Sequence, residues 1–124
     1  MNMIHHIAII CSDKDSALDF YVSKLGFEII RENYRPERND WKIDLKLNDE
    51  TEIELFIMKG HPERPSPESY GLRHFAFKVE DFDLAVKELE AKGIVCEPVR
   101  MDTFTGGRAT FFKDPDGLPL EIHE

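Results

Sequence analysis

Four side chains stand out for the chemistry that their spacing allows. His6 heads "HIAI" and His74 heads "HFAF", 68 positions later; Glu54 lies in "EIEL" and Glu121 in "PLEI", 67 positions apart. Two imidazoles and two carboxylates brought together make an N2O2 set suited to a divalent metal. Without a cation, two carboxylates enclosed side by side would be costly, and one would take up a proton. A lone His or Glu on a strand is ordinarily structural or solvated. Here both types recur as pairs at nearly one offset, which chance need not produce.

The elements that must position these residues follow from the periodicity. "IHHIAIIC" (4–11) reads as a strand, and "SDKD" supplies capping residues for a helix over "SALDFYVSKL", with Gly26 as its stop. "FEIIRE" (27–32), "WKIDLKL" (41–47) and "EIELFIM" (52–58) read as three strands. "KGHPERPSPESY" (59–70) has three prolines and little apolar character, so a linker or long surface loop is expected. The order then restarts: a strand in "LRHFAFKV", a helix in "EDFDLAVKELEAKG", and strands in "IVCEPVR", "RATFFKD" and "LPLEIH". Gly26 and Gly93, the two helix stops, are also 67 positions apart. A duplicated unit predicts such an offset. The expected class is therefore α+β: two tandem βαβββ modules, 1–58 and 71–124, joined by a proline-rich linker, 59–70.

Strand parity assigns the faces. Ile7 and Ile9, Ile53 and Leu55, Phe75 and Phe77, and Leu120 and Ile122 form apolar faces for the two amphipathic helices to cover. His6, Glu54, His74 and Glu121 fall on the opposite faces, where a cleft is expected. His5 and His61 are set aside by parity and by loop position. His123 shares the face of Glu121 and is at most a supporting residue. "RENYRPER" is the one locally basic stretch, and Arg35, Arg38 and Trp41 could gate the cleft.

Composition narrows the class of partner. The chain has 124 residues, 41% of them hydrophobic, which suits one ordinary globular domain. A formal net charge of −9 argues against a nucleic-acid or anionic-membrane surface. No apolar run reaches membrane-spanning length, and "MNMIHHIAII" lacks the features of a secretory signal, so a cytoplasmic protein is expected. Cys11 and Cys96 have no ligand-type spacing and are expected to be small buried thiols.

Taken together, "HHIAII", "ALDFYVSKLGFE", "IELF", "LRHFAF" and "FFKDPDGLPLEI" resemble the vicinal oxygen chelate superfamily, and within it the glyoxalase I (lactoylglutathione lyase) group. These stretches span nearly the whole chain, and "FY..KLGF" with "DPDG...E" are the most diagnostic. The resemblance implies the glyoxalase/bleomycin resistance/dihydroxybiphenyl dioxygenase fold, with paired modules whose sheets curl round a metal cleft, often completed across a homodimer. It implies His6, Glu54, His74 and Glu121 as metal ligands. All four are present, which favours a glyoxalase-type site over the three-ligand sites of fosfomycin-modifying and ring-cleaving relatives. The implied cofactor is one divalent metal per site, nickel or zinc foremost, with cobalt or manganese as alternatives.

The activity implied is metal-assisted proton transfer on a small oxygenated substrate, with an enediolate stabilised by the ion. In the resemblance Glu121 is favoured as the base and Glu54 as its partner; the sequence leaves the two roles interchangeable. Two positions depart from the pattern. Ile10 stands where glyoxalase I has an arginine, and Met58 stands where it has an asparagine. Both belong to glutathione recognition there, so the usual glutathione adduct is in doubt. Arg35, Arg38, Arg64, Arg73 or Arg108 could supply an anion site instead. The alternatives are a fosfomycin-type thiol transferase or epoxide hydrolase, and a non-catalytic small-molecule binding protein.

Overall fold

The computed structural model describes residues 1–66 and 68–124. Pro67, within the segment read as a linker, lies outside the described residues. The chain forms two compact units, Met1–Pro62 and Glu63–Glu124.

The first unit runs β1 (His6–Cys11), α1 (Lys14–Leu18), a π-helical continuation (Asp19–Lys24), β2 (Glu28–Arg35), β3 (Asp40–Lys46) and β4 (Glu52–Ile57). Asp13 starts the helix by accepting the Ser16 N–H at 2.9 Å. The expected single α-helix widens at its end, where the Leu25 N–H reaches back five residues to the Phe20 carbonyl. Gly26 then turns the chain at φ +82°. The sheet order is β1-β4-β3-β2, with β1 parallel to β4 and the other pairs antiparallel. Ile9, Cys11, Ile43, Leu45, Ile53, Leu55 and Ile57 are buried along one face, and the helical segment buries Ala17, Phe20 and Tyr21. Strand β2 runs three residues past "FEIIRE", because Asn33, Tyr34 and Arg35 pair with Lys42, Trp41 and Asp40. The basic stretch is thus the end of a hairpin, and Arg35 grips Asp40 through two hydrogen bonds of 2.7 and 2.8 Å.

The second unit repeats the order: β5 (Phe75–Lys78), α2 (Phe82–Ala91), β6 (Arg100–Met101), β7 (Arg108–Lys113) and β8 (Pro119–His123). Its sheet order is β5-β8-β7-β6, with β5 parallel to β8. Asp81 caps α2 through the Leu84 N–H at 3.0 Å. Helix α2 packs on β8, and Phe82, Leu89, Phe112, Leu120 and Ile122 are buried. The strand expected over 94–100 shrinks to Arg100–Met101. Pro98 has no N–H for a ladder, although Glu97 still donates its N–H to the Phe111 carbonyl at 2.8 Å. The strand expected from Leu72 begins at Phe75, so His74 stands one residue before it. Asp114 shapes the "DPDG" turn that delivers β8, accepting the N–H groups of Asp116 at 3.0 Å and Leu118 at 2.8 Å.

The α+β class and the tandem βαβββ order expected from the sequence are both present, as two four-stranded mixed sheets with no closed barrel. Among the described residues, no helix is long and apolar enough to cross a membrane.

Candidate functional site

In the first unit, Glu54 sits in mid-strand between Ala8 of β1 and Asp44 of β3. Its Oε2 lies 3.7 Å from His6 Nε2. The other ring nitrogen of His6 faces His5, Nδ1 to Nδ1 at 2.8 Å, with the two rings edge to face. His5, set aside from the sequence, therefore orients His6.

In the second unit, Glu121 lies between Ala76 of β5 and Phe111 of β7. Its Oε2 is 2.9 Å from His74 Nε2. Here the Nδ1 of His74 faces Arg73 Nη1 at 3.3 Å. The arrangement repeats: each Nε2 faces a carboxylate, and each Nδ1 faces the side chain one residue earlier.

Donor chemistry in each pair suits a divalent ion, and the spacing lies close to what one requires. Ligand atoms about 2.1 Å from an ion stand about 3.0 Å apart at a right angle and about 3.4 Å apart at the tetrahedral angle. The observed separations of 2.9 and 3.7 Å bracket that range. Each unit contributes one such pair. Among the described residues, no group of three or more His, Cys, Asp and Glu side chains is clustered to hold an ion.

The two carboxylates differ in their surroundings. Lys42 Nζ lies 2.8 Å from Glu54 Oε1 and also contacts buried Asp44, which Arg31 grips from its other side at 2.8 Å. Burial alone would push Lys42 down and Asp44 up. Their mutual hydrogen bond, with those to Glu54 and Arg31, reverses both: Lys42 rises above its ordinary value and Asp44 falls below its own. The equivalent of Asp44 in the second module is Phe111, 67 positions on, and its ring meets the His74 ring edge-on at 5.1 Å. Among the described residues, no lysine or arginine forms an ion pair with Glu121, which is buried. The sequence reading missed Lys42, Asp44 and Arg31. The alternation of "WKIDLKL" carried the signal, since Lys42 and Asp44 share the parity opposite to Ile43 and Leu45.

The remaining candidates divide clearly. Trp41 meets the Tyr34 ring at a tilt of 57° and supports Lys14, whose Nζ is 3.5 Å from the Trp41 ring centre. Arg108 is held by Glu124 and Asp83, and Arg35 by Asp40. His123 rests against the Glu124 carbonyl at 2.8 Å, with Asp102 at 3.7 Å, and these contacts hold it above the ordinary histidine range. A Cβ at Gly107 would come within 2.8 Å of its ring, which explains the glycine there. Cys96 is only half-buried, and burial pushes its thiol up, away from a nucleophile's range.

Comparison with known proteins places this geometry in context. The profile described as Glyoxalase/Bleomycin resistance protein/Dioxygenase superfamily matches residues 3–122. The chain is 56% identical to the uncharacterized protein YwkD of Bacillus subtilis, covering 100% of this chain and 98% of that one. It superposes on the crystal structure of a glyoxalase family protein from Enterococcus faecalis with a TM-score of 0.94, at 56% identity, covering 99% and 98% of the two chains. A probable lactoylglutathione lyase of Vibrio cholerae is 29% identical, covering 96% of this chain and 88% of that one.

Proposed function

Because the chain belongs to the Glyoxalase/Bleomycin resistance protein/Dioxygenase superfamily, we propose that it is a metal-dependent lyase or isomerase that moves a proton between adjacent carbons of a small oxygenated substrate. Proteins of that superfamily generally use a divalent metal. His6, Glu54, His74 and Glu121 are the ligands in this reading, a full set taking two His–Glu pairs. The observation that carries it is the recurrence of one pairing, Nε2 against Oε2, at 3.7 Å in the first unit and 2.9 Å in the second. When bound, the ion supplies Lewis acidity that acidifies the carbon-bound proton.

The protein's own residues divide the remaining work. Lys42 holds Oε1 of Glu54, which restrains that carboxylate from turning and leaves Oε2 toward His6, at the cost of competing for its charge. Glu121 has no competing lysine or arginine among the described residues, so it is the carboxylate able to turn from His74 and carry the proton. Glu121 itself is buried, which limits the water that reaches its carboxylate. A homodimer and a small-molecule substrate complete the reading.

One observation favours a second reading, a binding protein without chemistry: Glu54 already has a cation, Lys42, beside it. Metal analysis separates the two. Untagged protein purified without chelator should carry about one transition metal ion per chain, and His74→Ala should lose it. A parent protein that holds none and takes up no added nickel, zinc, cobalt or manganese would overturn the metalloenzyme reading.

A further inference from the structure

Beside His74, wholly within the second unit, lies a cavity of about 170 Å³. Its lining includes four cations, Arg64, Arg73, Arg100 and Lys113, against two carboxylates, Glu68 and Glu97. Such a surplus is unexpected in a chain whose formal net charge is −9. Two of the cations are already matched: Arg73 Nε donates to Glu68 Oε1 at 2.9 Å, and Arg100 to Glu97 Oε2 at 2.8 Å. The other two are not. Arg64 donates only to the carbonyls of Leu72 and Arg73, at 2.6 and 3.2 Å, and no carboxylate pairs with it or with Lys113 among the described residues. Both side chains are exposed, and two charges without counterions at the edge of a concave, partly apolar site raise its positive potential. Phe111, Phe112 and Pro119 supply the apolar walls.

We propose that this cavity binds the oxyanion end of the substrate, a carboxylate or a phosphoryl group, while the rest of the molecule reaches the His74–Glu121 pair. The assignment rests on the metalloenzyme reading for its second half only; the anion site itself does not need a metal. It bears on the arginines that the sequence left open: Arg35, Arg73 and Arg108 are paired with Asp40, Glu68, Asp83 and Glu124, whereas Arg64 lines the cavity with no carboxylate paired to it among the described residues. The substrate class follows: an acid whose anionic end is a compact group, because 170 Å³ is below the roughly 300–1,000 Å³ of pockets that enclose drug-sized ligands and suits a carboxylate or phosphoryl group. Arg64, Pro65, Glu68 and Ser69 of the proline-rich stretch gain a role as well, since they line the cavity, with Arg64 tied there by its two carbonyl contacts.

The test is a titration of the full-length 15N-labelled protein with inorganic phosphate and, separately, with malonate, at constant ionic strength. Saturable amide shifts at Arg73, Arg100 and Lys113 are expected with at least one of them. Arg64→Met and Lys113→Met should each weaken that binding about tenfold or more, as expected for losing a charge-assisted contact. Lys113→Met serves as the safer variant, because Arg64 also holds two carbonyls. Tighter phosphate binding would mark a phosphorylated substrate and tighter malonate binding a carboxylic acid; either supports the site. No saturable shift with either anion, or unchanged binding in both variants, would overturn it. Metal binding measured on parallel samples keeps the two readings apart: a parent that binds phosphate but none of nickel, zinc, cobalt and manganese leaves the anion site standing and removes the metalloenzyme.

Discussion

Lys42 Nζ lies 2.8 Å from Glu54 Oε1, while the matching carboxylate of the second module, Glu121, has His74 at 2.9 Å and no lysine or arginine paired with it among the described residues. Two halves of one duplicated design have thus given their acids different surroundings. Glu54 is held by a charge, and Glu121 has Phe111, whose ring meets His74, as its cross-strand neighbour.

Removing that charge should loosen the first carboxylate. Lys42→Met is expected to raise metal affinity, because a competing cation leaves Glu54, while lowering stability by about 1–3 kcal/mol as buried Asp44 loses a charged partner. Cobalt titration and urea unfolding of the same variant read both effects. Unchanged affinity would mean that Lys42 does not compete for Glu54.

Exchanging the acids one at a time should split their roles. Glu121→Gln should retain metal and lower turnover by roughly 10²–10⁴-fold, the usual contribution of a general base. Glu54→Gln should instead lower metal content. Full activity in Glu121→Gln, on a substrate that the parent turns over, would sink the proposed proton carrier.

Asp44 makes stability depend on acid. Burial pushes its carboxyl up, but Lys42 and Arg31 hold it below its ordinary value overall. A lowered folded value gives stability that is present above the unfolded value, about 3.9, and is lost as pH falls through the folded one. The urea midpoint should therefore drop on acidification below about pH 4, and Asp44→Asn should flatten part of that drop. An identical pH profile in the variant would remove Asp44 as its source.

Crowding at Gly107 gives a test away from the metal ligands. In Gly107→Ala the new methyl must displace the His123 ring, which it would approach within 2.8 Å. Proton NMR should find His123 moved back toward the ordinary histidine range, as its contacts with Glu124 and Asp102 are lost. An unmoved titration would show that the ring does not depend on that gap.

Much of this was written in the sequence, and for a simple reason. Side-chain direction alternates along a strand, so "EIELFI" and "LPLEIH" by themselves put Glu54 and Glu121 opposite the apolar residues of their strands. The constant offset between modules is likewise a property of the string, and so are the capping residues and helix-stopping glycines. Tertiary structure alone decided what each ligand candidate faces. Strand register, set by pairing across the sheet, brought Asp44 opposite Glu54 and Phe111 opposite Glu121. Arg64, in a stretch with no periodicity to read, lines the cavity beside His74 only because of how the chain folds there. Parity fixes a face, but only long-range pairing fixes the neighbour on that face.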